Sequence, residues 1–194
     1  MKFEELRSLL TDCRSCRRYD ASHKVSRETL EEVVGLTRLC ASGRNIQSLR
    51  YRIINEQDET DRLFPLLKWA GYMPEWDGPE PAERPTAYLV QCLDTRYGND
   101  CMCDDGLQLQ AIRLGITSLG LASCIVKAFD MKGLLEQLHL PEGLRPLYVL
   151  AVGKPAETLH IEDTDGTPDA DIRYYRTPDQ IFHIPKRPLS ELLV

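Results

Sequence analysis

The chain has 194 residues and no run of about eighteen apolar ones, so nothing in it reads as a membrane-spanning helix. Its first residues, MKFEELRSLL, lack the apolar centre of a signal peptide, which makes a cytoplasmic protein the expectation. No G-x-G-x-x-G follows a candidate strand, and no G-x-x-x-x-G-K-[ST] occurs, so the standard dinucleotide and P-loop fingerprints are excluded. Histidine is scarce, and His23, His139, His160 and His183 stand at no metal-ligand spacing, so no metal is expected. A Ser-His-Asp or paired-carboxylate signature is also missing. Positive charge is not in excess: a formal net charge of -6 argues against a general nucleic-acid binder. Internal repeats and low-complexity segments are absent.

What is present describes a folded protein. The composition is 42% hydrophobic and 28% charged, which suits one globular domain over residues 1–194 with a full core. Seven cysteines, an odd number without export, read as mostly free thiols.

The apolar spacing predicts a helix at 2–11 and another opening at Ser26. SLRYRII (48–54) alternates as an edge or half-exposed strand. A helix over 59–72 is interrupted by Pro65, and the proline-rich stretch 72–85 is a long loop. TAYLVQCL (86–93) and PLYVLAVG (146–153) are central strands; between them come a buried helix at 104–120, a short strand at 121–126, and a helix capped by Asp130. The last forty residues show no strong periodicity and need a surface to pack on. Helices and strands in this order give an α+β sandwich with a mixed sheet.

DCRSCRRYD (12–20) can be read in two ways. Cys13 and Cys16 form a C-x-x-C, the spacing of a redox dithiol or half a zinc site, with Cys101 and Cys103 as further ligands. A reactive dithiol sits at a helix N-terminus, and this pair follows a helix instead. The second reading is an anion cradle: Arg14, Arg17 and Arg18 offer the bidentate forks that match a phosphate. Three further stretches carry candidate groups. CASGRNIQS (40–48) places Ser42, Asn45 and Gln47 where a helix stops, and such amides suit a heterocycle edge. SLGLASC (118–124) leaves room beside Gly120, Leu121 and Ala122 for a ring system against the backbone. Lys186 and Arg187 are pinned between two prolines.

Taken in order, RSCRRY, CASGRNIQSLRY, SLGLASC, VGKP and the closing PKR resemble the nitroreductase family of FMN flavoproteins over essentially the whole chain. The resemblance implies a three-layer α+β sandwich, a mostly antiparallel sheet flanked by helices, and a homodimer with FMN at the interface and an exchanged C-terminal arm. Arg14, Ser15 and Arg17 would hold the FMN phosphate and ribityl chain, with Lys186 or Arg187 closing on the phosphate. Ser42, Asn45 and Gln47 would reach FMN from the partner subunit. The backbone at Gly120, Leu121 and Ala122 would face the flavin and donate an N–H to N5. The chain departs from the family pattern at Cys13, where an arginine is frequent, and at Ala41, Ser48 and Ala122.

The expected activity is ping-pong hydride transfer from NADH or NADPH through FMN to a nitroaromatic, a quinone or another small acceptor. FMN would carry the chemistry, so no catalytic side chain is named. Tyr72, Trp69, Trp76 and the proline-rich loop are candidates to shape the acceptor pocket, or else are core or interface aromatics. Two alternatives stand beside this: a non-catalytic flavin-binding protein of the same fold, and a cytosolic zinc or thiol-redox protein built on the cysteines.

Overall fold

The computed structural model describes residues 2–167 and 170–194. Strand β3 (Ala87–Asp94) is buried along its whole length, as its apolar run, interrupted by Gln91 and closed by Asp94, requires of a strand covered on both faces. It pairs antiparallel with β2 (Leu49–Ile54) on one side and β5 (Leu144–Pro155) on the other. The far edge of β5 carries β4 (Ala122–Val126) and then the two-residue β1 (Tyr19–Asp20), both antiparallel to it.

Side-chain alternation divides the core into two layers. Tyr88, Val90 and Cys92 of β3, with Val149 and Ala151 of β5, face a cluster holding Leu63 of α3 (Gln57–Leu63) and Leu134 of α5 (Met131–Leu138). Ala87, Leu89, Leu150 and Val152 face the opposite cluster, with Leu30 and Val33 of α2 (Arg27–Gly35) and Leu109, Ile112 and Ile116 of α4 (Asp104–Ser118). Each such aliphatic side chain contributes about 1.5–3 kcal/mol on burial. The result is helix, sheet, helix.

Local chemistry explains the boundaries. Ser26 Oγ accepts from the Thr29 N–H, and an Asp130 carboxylate oxygen accepts from the Lys132 N–H, capping α2 and α5. The helix read over 59–72 is shorter than expected: α3 ends at Leu63 and one 3₁₀ turn, Phe64–Leu66, holds Pro65.

The C-terminal region differs from its sequence expectation. It forms a second sheet, with β6 (Thr158–Asp163) parallel to β8 (Ile181–Lys186) and β7 (Tyr175–Arg176) antiparallel to β8. These strands are short, and the alternation in β6 (TLHIED) and β8 (IFHIPK) spans only a few residues each and is broken in β8 by Pro185, so it does not stand out in the sequence. The sheet is fastened to the body of its own chain. Phe182 is buried, and the Arg17 guanidinium packs on the Tyr174 and Phe182 rings. The parallel pairing lies in this second sheet; the five-stranded core sheet is antiparallel.

Candidate cofactor site

Helix α1 (Phe3–Asp12) leads into the basic stretch, and residues 14–16 run beside β4, with a bridge between Ser15 and Ser123. This brings the start of the chain against the turn that follows α4. That turn has a definite geometry. Gly120 adopts φ +69°, its N–H donates to Thr117 O, and the Leu121 N–H donates to Ile116 O. This is the double closure of a helix ending in a left-handed residue, and glycine fills that conformation without a side-chain penalty.

Between these segments lies a groove of about 610 Å³. Arg14 and Cys16 form one wall, Thr117, Gly120, Leu121 and Ala122 another, and Pro155, Leu159, His160 and Ile161 the third. A smaller apolar groove adjoins it; Thr11, Arg14 and Ile161 line both, and Lys186 and Phe3 line the second.

The three arginines of the basic stretch have separate fates. Arg18 is ion-paired with Glu83 and donates to Gln180. Arg17 is buried against the second sheet, its backbone N–H donates to Glu157, and it does not line the groove. Arg14 has no carboxylate partner among the described residues, and its Nε is buried without a hydrogen-bond partner. Burial, and then the neighbouring Arg113, pull its pKa below the usual arginine value.

Arg113 was not anticipated from the sequence. It projects from α4 and donates to Cys13 O at 3.3 Å, while its Nε is also buried without a partner. A lone arginine in a helix reads as surface charge, and only the packing of α1 on α4 reveals its neighbour. Lys186 is held below the ordinary lysine value by burial and by the charge of Arg14. Arg187, in contrast, is committed to Glu191 at 2.6 Å. Glu157 lines the groove but is neutralised by Arg176, which donates to it at 2.9 Å, and by the backbone N–H groups of Arg17 and Arg18.

Arg14 is therefore the centre of a group of cations, with the Arg113 guanidinium and the Lys186 ammonium each close enough to act on its charge, and the Nε atoms of Arg14 and Arg113 are buried without a partner. Like charges gathered without an ion pair disfavour one another, and a bound phosphate relieves that, although Asp12 also lines the groove. A donor set of Arg14 and Lys186, with Arg113 beside Arg14, has the chemistry that a phosphate monoester requires. The expected N–H donor is narrowed: those of Gly120 and Leu121 are spent on closing α4, so neither is free for a flavin nitrogen.

Ser42, Asn45 and Gln47 lie elsewhere. Ser42 Oγ donates to a carboxylate oxygen of the buried Asp104 at 2.6 Å, and the Gly43 N–H donates to its other oxygen. Gln47 Nε2 donates to Asn45 Oδ1 at 3.1 Å, and both residues have positive φ. Asp104 opens α4 and Thr117 lies near its end, so this loop and the groove stand about 20 Å apart along one helix at about 1.5 Å per residue. A single subunit does not bring the two halves of the expected site together.

Cys13, Cys16 and Cys124 are buried and free. Desolvation and Glu157 push the Cys16 thiol far above its normal range, and its Sγ donates to Arg18 O.

A model of the Nitroreductase family matches residues 10–80. The oxygen-insensitive NADPH nitroreductase of Helicobacter acinonychis (strain Sheeba) is 24% identical over 165 residues, 67% of this chain and 79% of that protein. The fold is similar to that of a nitroreductase family protein of Clostridium difficile 630, with a TM-score of 0.65 at 23% identity, covering 100% of this chain and 98% of that one. It is also similar to an FMN-dependent nitroreductase from another strain of that species, with a TM-score of 0.63 at 18% identity over 77% and 87% of the two chains. A nitroreductase-like protein of Streptococcus mutans gives a TM-score of 0.67 at 15% identity over 80% and 91%.

Proposed function

We infer that this chain, which has the nitroreductase fold and matches the nitroreductase family over residues 10–80, is an FMN-dependent NAD(P)H oxidoreductase acting on small acceptors such as nitroaromatics or quinones. The observation that carries the reading is Arg14, which lines both adjoining grooves without an ion pair among the described residues, with Lys186 lining the second groove and Arg113 acting on the charge of Arg14. The names of the relatives supply the reductant and the cofactor class.

In this reading Arg14, Arg113 and Lys186 hold the phosphate as charge-assisted donors. Ser15, expected at the ribityl chain, lies between Arg14 and Cys16 beside β4 but does not line the groove, and its side chain meets the buried Cys124 instead. Ala122 and the turn before it form a close backbone wall without large side chains, and Pro155, Leu159 and Ile161 keep water from the opposite side. Bound FMN supplies hydride acceptance from NADH or NADPH and its onward delivery. No acid or base from the protein is needed for that, so the chain's contribution is binding, orientation and a field that favours negative charge.

The functional unit of this proposal is a homodimer. Ser42, Asn45 and Gln47 stand too far from the groove of their own subunit and are assigned to that of the partner. Exposed Leu39, Leu107 and Leu119 supply apolar surface on the α2 and α4 side, and exposed Leu189, Leu192 and Leu193 make the end of the tail the arm that reaches across. Residues 1–194 act as one flavin-binding domain.

The test is to purify the protein, release its ligand by heat and compare it with flavin standards, then follow NADH and NADPH oxidation with a nitroaromatic and a quinone. FMN and turnover are expected. FAD, or no flavin after reconstitution, rejects the reading; FMN without turnover assigns the chain to non-catalytic flavin binding.

A further inference from the structure

Histidines 160 and 183 lie far apart in the chain and come together through strand pairing. His160 of β6 is opposite His183 of β8 in the parallel register, and their rings are 5.3 Å apart. Glu162, two residues beyond His160, returns to the same face of β6. Its carboxylate contacts His183 Nδ1 at 2.9 Å. One ligand atom from each of the three lies within 4.8 Å of the others, the only such group of histidine, cysteine and carboxylate found among the described residues.

We propose that His160, Glu162 and His183 bind one divalent transition-metal ion of the zinc class. Two imidazoles and one carboxylate are a donor set for zinc and its first-row neighbours, with a fourth position left to water or ligand. Magnesium and calcium prefer all-oxygen sites, and copper(I) prefers sulfur. Zinc holds its nitrogen ligands at about 2.0–2.1 Å in a tetrahedron, so its ligand atoms stand about 3.4 Å apart. Glu162 and His183 are already that close. Closure therefore requires only that the exposed His160 ring swing inward, a side-chain movement.

A supporting shell is present. Tyr175 of β7 is opposite His183 in register, so His160, His183 and Tyr175 form a row across the sheet. Tyr175 Oη donates to the other Glu162 oxygen at 3.1 Å, and its ring stacks on His183 with centroids 4.7 Å apart. Such partners fix ligand orientation in metal sites. The ion would clip β6 to β8. Because His160 also lines the large groove, it would set one wall of that groove. The ion's ligands all come from β6 and β8, and the site shares only His160 with the groove assigned to the flavin.

The experiment uses tag-free, chelator-treated protein in a Cys101→Ser/Cys103→Ser background, which removes thiol competitors. Zinc chloride is titrated calorimetrically, and Co²⁺ provides an absorbance signature of a low-symmetry nitrogen–oxygen site. One ion per chain at a Kd of about 10 μM or below is expected. His160→Ala and Glu162→Gln should each weaken it by at least about 10-fold, since each removes one of three ligands and even an outer-shell partner costs that much. Both variants should melt like the parent in chelator, and zinc should raise the melting temperature of the parent alone. The titration is repeated with FMN-saturated protein and is expected to give the same stoichiometry. No saturable binding below about 1 mM, or binding untouched by His160→Ala, overturns the proposal.

Discussion

Lys186 shares a groove with Arg14, and that neighbour, after burial itself, holds the ammonium below the ordinary lysine value. The lowered pKa means that the charged lysine is disfavoured in the folded chain without an anion. That cost is present at pH values below the lowered pKa. It disappears as pH rises from there toward the unfolded lysine value of about 10.4. A bound phosphate has the opposite preference and favours the charged form.

Phosphate-group affinity should therefore be highest while Lys186 is protonated and fall as alkaline pH removes its proton. Lys186→Arg should abolish that alkaline loss, since guanidinium keeps its charge. FMN titrations from neutral to alkaline pH on both proteins check this; parallel curves would remove Lys186 from the site.

Arg14→Ala and Arg113→Ala should each weaken FMN by about 10- to 150-fold, the loss of one charge-assisted hydrogen-bonding group worth about 1.5–3 kcal/mol. Arg17→Ala is the contrast. Its guanidinium packs on Tyr174 and Phe182, so the change should cost stability, about 0.5–2 kcal/mol in lost cation–π contact, and leave FMN affinity within a few-fold of the parent. Fluorescence titration and denaturant melts on the same samples separate the two effects.

The 40–48 loop and the groove belong to different subunits in the proposed dimer. An Arg14→Glu variant and a Gln47→Glu variant should each lose most FMN binding. Refolded together in equal amounts, they should regain about a quarter of the parental sites, because half the dimers are mixed and each mixed dimer has one intact site. No recovery in confirmed mixed dimers would place both residues at a site within one chain.

The thiols should be dispensable for chemistry. Cys13→Ser/Cys16→Ser places hydroxyls in buried positions, so a stability loss of about 1–3 kcal/mol is expected. FMN occupancy and turnover per flavin should survive. Retained flavin with collapsed turnover would make the pair a redox relay.

Much of this molecule was legible in one dimension. The doubly covered sheet announced itself in the apolar runs of β3 and β5, because a strand buried on both faces needs no polar alternation. Ser26, Asp130 and Gly120 marked helix ends because their side chains, or the lack of one, satisfy local backbone geometry. Arg14 and the Gly120 turn could be named as site candidates for the same reason: each carries its chemistry within a few residues.

Elements whose formation depends on near neighbours, together with the motifs that make the family resemblance, could thus be read from the order of residues. Tertiary structure alone decided which charges are spent and which are free. Arg17, Arg18 and Arg187 look like Arg14 and Lys186 in sequence, yet Tyr174 and Phe182, Glu83 and Glu191 claim them. It alone set Arg113 beside Arg14, made strands of the C-terminal tail, and laid His160 against His183. The physical reason is common to all of these. Ion pairs, stacked rings and ligand clusters depend on distance in space, and a strand register can join residues that no spacing along the chain relates.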